Sequence, residues 1–97
     1  MSERLKDLVV DKRVLVVDGR TEEIVDHAVI TSASDCTNID HIEVRSTQLF
    51  PGKVVGLVFL DYDGLVPGWR ILSCEYGPDT LVYSERPDAP FYQVRPA

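Results

Sequence analysis

Apolar residues fall in short runs divided by turn residues. Val14-Leu15-Val16-Val17 is rich in β-branched side chains and runs into Asp18-Gly19. That predicts a strand and a tight hairpin, since a type I′ turn holds both central residues at positive φ. Ile42 and Val44 alternate with His41, Glu43 and Arg45, the pattern of a strand buried on one face. Val54 to Leu60 is apolar at both alternating sets of positions, which implies cover on both sides. From Trp69 to Tyr76 the alternation returns, with Leu72, Cys74 and Tyr76 on one face and Trp69 with Ile71 on the other. Thr80 to Glu85 and Phe91 to Arg95 supply two further short strands. Pro51-Gly52, Asp63-Gly64, Pro67-Gly68 and Gly77-Pro78-Asp79 mark turns, and Ser32 to Asn38 reads as a polar loop.

Two stretches carry helical signals. Ser2 can cap a short helix over Glu3 to Val10, with Leu5, Leu8 and Val9 on one face. Thr21 to Thr31 is ambiguous. Thr21-Glu22-Glu23 suits a helix start, yet the Asp-Gly hairpin would return the chain as a strand. A faint internal echo favours strand: Val25-Asp26-His27-Ala28 matches Ile39-Asp40-His41-Ile42. The pattern predicts one mainly β domain over residues 1–97, an antiparallel sheet curled into a small barrel or half-barrel with a short N-terminal helix. An α+β arrangement with a second helix near 21–30 is the alternative.

Cover is the difficulty for such a chain. Val14 to Val17 and Val54 to Leu60 need shielding on both faces, and one short helix cannot supply it. A second copy of the same surface, in a dimer or ring, is the simplest shield, and unpaired edge strands give a second motive. The sequence therefore predicts a homo-oligomer.

Composition narrows the functional classes. The 97 residues carry a net charge of −6, with ten Lys and Arg scattered along the chain. Acid excess opposes nucleic-acid binding, which depends on neutralising phosphates. It equally opposes polybasic attachment to membranes. No apolar run approaches bilayer length and the first residues mix charges with leucines, so a cytoplasmic protein is expected. Cys36 and Cys74 are too few and too far apart for a zinc site and read as free thiols.

Val58-Phe59-Leu60-Asp61-Tyr62-Asp63-Gly64 resembles the first motif of haloacid dehalogenase-type phosphatases. The resemblance would make Asp61 the nucleophile and Asp63 the acid-base partner, beside a magnesium ion. Leu65 stands where that family has Thr or Ser before a helix, and the residues that follow read as strands. A calcium loop fails too, since Leu65, Val66 and Leu72 occupy positions needing a ligand, Gly and Glu.

A second resemblance is to Sm-like RNA-binding proteins. Leu5 and Leu8 match the opening helix, and Asp18-Gly19-Arg20 the end of the first strand. Asp35 and Asn38 match a uridine-binding loop, and Gly56 to Tyr62 the closing motif. Asp61-Tyr62 replaces the RNA-contacting Arg-Gly, so the resemblance implies an assembling barrel that has lost its RNA contacts.

Each histidine follows an aspartate. Asp26, His27, Asp40 and His41 could form a two-His, one-carboxylate metal site, but strand neighbours face opposite ways, so solvent-facing histidines are expected instead. No cofactor or metal is predicted. Trp69, Tyr62 and Tyr76 are candidates for a ligand or interface surface. These readings favour a non-enzymatic binding or protein-interaction module. The alternative is a small enzyme acting on an organic metabolite in a β-lined pocket, with Asp26, His27, Asp40, His41, Asp61 or Asp63 as acid-base groups.

Overall fold

The computed structural model describes residues 3–36, 39–61, 64–73 and 85–97. Among these residues six strands follow one another in antiparallel order: β1 (Arg13–Asp18), β2 (Ile24–Cys36), β3 (Ile39–Arg45), β4 (Val54–Leu60), β5 (Gly68–Ser73) and β6 (Tyr92–Pro96). Each pairs with the next, and β6 returns to β1, so the sheet closes into a barrel. Val14, Val16, Ala28, Ile30, Ile42, Val44, Val55, Leu57 and Trp69 fill its interior. Residues Val25, Thr31 and Leu72 stand unpaired opposite register shifts. Such bulges bend and twist a strand, which so small a barrel requires to close.

Thr21 to Thr31 is strand beyond its opening residues, and the α+β alternative is excluded. The hairpin selects it: β2 pairs with β1 from Ile24 onward. The turn itself differs from expectation. Neither Asp18 nor Gly19 has positive φ; Glu22 does, at 62°. The Asp18 carboxylate accepts the amides of Arg20 (2.7 Å) and Thr21 (3.1 Å), which builds a wider connection over 19–23. These two amides, Arg20's foremost, hold the Asp18 carboxyl below its ordinary pKa. Gly19 is needed for space instead: a Cβ there would lie 2.2 Å from the Phe91 ring.

Ser32 to Cys36 is strand as well, not loop. Ala33 faces Ile42 across the ladder and packs on the core, so small alternating residues still keep the period. At the N-terminus only a 3-10 turn, Glu3–Leu5, forms. Leu5 and Leu8 enter the core cluster, while Val9 is half exposed.

β4 is buried on both faces, as its pattern requires, but within one chain. Val55 and Leu57 point inward, and Val58 and Leu60 are buried on the other side. Beside Val58 in register lies Arg70, with 0% exposure. Its guanidinium donates to the carbonyls of Val66 (3.2 Å), Arg86 (3.1 Å) and Ala89 (3.2 Å). Two loops are thereby fastened over the outer wall. The shield sought in a second copy is supplied here by the chain's own connections.

Candidate functional site

The two Asp-His pairs take the same posture at opposite ends of the barrel. In each, the aspartate turns inward and the histidine outward. Asp26 is 2% exposed and sits where β3 hands over to β4. It accepts Ser46 Oγ (2.5 Å), Thr47 Oγ1 (2.9 Å) and the amides of Thr47 (3.0 Å) and Gln48 (2.9 Å). Burial pushes this carboxyl up, and the hydrogen bonds from Ser46, Gln48 and Thr47 outweigh it, leaving the pKa below the ordinary range. Asp26 thus anchors the loop whose Phe50 packs on that end of the core.

Asp40 is 5% exposed and does the equivalent work at the other mouth. Arg4 reaches it at 3.0 Å, approaches the exposed Asp61 at 3.9 Å, and lies 3.8 Å over the Phe59 ring. This fastens the N-terminal segment, with Leu5 and Leu8, across the opening.

These positions keep the two Asp-His pairs apart. His41 pairs with Ser34, about seven positions from His27 on β2, or roughly 23 Å of strand at ~3.3 Å per residue. No group of three metal-ligating side chains occurs among the described residues. Asp63, Tyr62 and Tyr76 lie outside the described residues, as do Cys74 and most of the strand expected over 80–85. The phosphatase resemblance fails on architecture: β4 is antiparallel to β5, and residues 64–67 form a connection without helix, with Gly64 at φ 90°. The uridine-binding loop of the Sm-like resemblance fails at Asp35, which lies within β2. Trp69 is 4% exposed, a core residue in edge contact with Phe59 (5.6 Å between centroids).

Beneath Asp26 and Phe50 about 10 Å³ is free, at the lower limit for one water. Space lies outside. A cleft of about 320 Å³ runs along the seam between β5 and β6, bordered by Arg4, Leu8, Phe59, Trp69 and Val94. Among the described residues β6 pairs with β5 through Trp69 and Tyr92 alone. Strand addition at this edge is blunted by Pro96, which has no amide to offer.

The feature hidden in the sequence is on the outer wall. In register, Arg45 of β3, Val29 of β2 and Arg13 of β1 form one row. His27, Leu15 and Arg95 of β6 form the next. Strands about 4.8 Å apart place Arg45 and Arg13 about 10 Å from one another, with Arg95 diagonal to Arg13. All three arginines and His27 are exposed. Among the described residues no carboxylate forms an ion pair with Arg13, Arg45 or Arg95, and Arg95 contacts Gln93. A second cleft, about 410 Å³, opens here between Arg13, His27, Val29, Thr47 and Ala97. No positional signal in the sequence joins residues 13, 27, 45 and 95; only the register of four strands does. No known family, curated sequence or solved structure matches the chain.

Proposed function

We propose that this protein is a non-enzymatic binding module that holds an anionic partner on the outer face formed by β3, β2, β1 and β6. One observation carries this reading. A chain with six more acidic than basic residues keeps three arginines clustered and without carboxylate partners among the described residues. Where acids outnumber bases, chance placement and surface ion pairing both tend to scatter and neutralise such groups. Arginine also presents a planar fork of donors suited to carboxylate and phosphate. Two of the aspartates considered as acid-base groups, Asp26 and Asp40, are engaged in holding the barrel ends, which weighs against the enzymatic alternative.

The face is small, and it lacks aromatic side chains on which bases could stack. A compact anionic group or an acidic segment fits it better than a nucleic-acid strand. Self-association is a separate proposal; β4 is covered on both faces within one chain, whereas Leu15 on the outer face of β1 is only partly buried.

Retention on heparin-agarose at low salt is the test. The protein should bind despite its acidity and elute as salt rises, while Arg13→Glu/Arg95→Glu should pass through. Lys6→Glu makes a single charge reversal at an exposed position outside the four strands of the face and should bind as the wild type does. Passage of the wild type, or equal retention of the double variant, defeats the reading.

A further inference from the structure

The arginine face is not uniform. At one place it sinks into the cleft of about 410 Å³, within the size range of small-ligand sites. Arg13 and His27 stand on its rim as diagonal neighbours on adjacent strands, since Arg13 pairs with Val29 and Leu15 with His27. Such neighbours have Cβ atoms about 7–8 Å apart, a gap that one tetrahedral or planar oxyanion bridges when both side chains lean toward it. Thr47 closes one side; its hydroxyl is shared between Asp26 (2.9 Å) and the His27 carbonyl (2.6 Å), which fixes that wall against β2.

The charged side chains that line or flank the cleft are basic, and the backbone carboxylate of Ala97 lies beside Arg13 on the same cleft. Arg95 shares the row of His27 through Leu15, and Arg45 lies across Val29 from Arg13. The nearest acid on β3's outer face is Glu43, two positions from Arg45 and opposite Ser32, away from the cleft. Asp26 adjoins His27 in sequence but points to the interior.

Resting on the anionic-partner reading above, we propose that the Arg13–His27 cleft seats a compact oxyanion group, phosphoryl or carboxylate, carried by a small molecule. Arg13 supplies a fixed positive fork. His27 adds a second positive donor once protonated, so anion binding and protonation of His27 favour one another.

The chain's two histidines make the experiment self-controlled. Each imidazole is titrated by NMR without additions, with inorganic phosphate, and with succinate. The midpoint of His27 should rise by about half a pH unit or more on saturation, because a nearby anion favours the imidazolium. His41, roughly 23 Å of strand away, should not move. The anion giving the larger rise identifies the preferred group. Arg13→Gln should abolish the rise, and Lys6→Gln should keep it. Equal shifts of both histidines, or none, overturn the proposal. If heparin retention persists while His27 is silent, the cleft is wrong and the arginine face stands. If both fail, the face itself is wrong.

Discussion

Asp26 joins more of the described structure through hydrogen bonds than any neighbour on its strand. It gathers two hydroxyls and two amides from one loop, one of the hydroxyls, that of Thr47, being shared with the His27 carbonyl. Asp26→Asn replaces one acceptor oxygen with a donor facing other donors. That change should cost about 2–4 kcal/mol in urea unfolding, the range for a broken buried charge-assisted network. The same carboxylate sets a pH dependence. Its folded pKa is depressed, so its contribution is complete above the unfolded value near 4 and is lost as pH falls through the lower folded value. Wild-type stability should therefore decline below about pH 4, and Asp26→Asn should flatten that decline. Gly19 offers a contrasting case. Its added methyl meets the Phe91 ring and, at 2.9 Å, the Phe91 carbonyl, so Gly19→Ala should cost about 1–3 kcal/mol by overpacking. Either loss being below the error of the measurement would show that the loop yields more freely than these contacts imply.

Among the elements, the N-terminal segment behaves as a plug with a latch. Leu5 and Leu8 enter the core, and Arg4 ties them to Asp40. Leu8→Ala should cost about 2–4 kcal/mol, as at other buried leucines, whereas Val9→Ala, half exposed, should cost little. Trp69 gives an optical check on the same core. It is the chain's single tryptophan and is buried, so its emission should be blue and resist acrylamide quenching. A red, quenchable emission would place it at the surface. Strands with β-branched runs or strict alternation, such as β1, β3 and β4, are legible in the residue pattern alone. The far half of β2 is not, because Ser32-Ala33-Ser34 keeps the strand period while presenting little contrast in hydrophobicity. The expected N-terminal helix fails for a related reason: two leucines three apart anchor a turn as well as a helix.

At the scale of the whole molecule, closure can be read from the sequence only as a curled sheet. The decisive contact, β1 with β6, joins residues from opposite ends of the chain, and no local pattern announces it. The arginine face depends on that same contact, which is why ten dispersed basic residues conceal it. No helix among the described residues is long and apolar enough to cross a membrane. Light scattering at micromolar concentration, repeated at low and high salt, measures the homo-oligomer proposal directly. An assembly that dissolves as salt rises would put acidic surface of one copy against the arginines of another. A salt-insensitive assembly would have to use apolar surface, for which Val9, Val10 and Val66 are exposed.

Among the described residues one pair, Trp69 and Tyr92, completes the circle of strands. Every other junction has at least five register partners. The ring is therefore mechanically uneven, like a bracelet with a single clasp. Undoing the clasp leaves an open six-stranded sheet whose remaining ladders are intact. Such a partial opening exposes far less surface than unfolding and should respond weakly to denaturant. In native-state hydrogen-deuterium exchange, the amides of Trp69 and Tyr92 should exchange early with a shallow urea dependence. Those of Val14, Ile30 and Val44 should wait for the whole barrel to come apart.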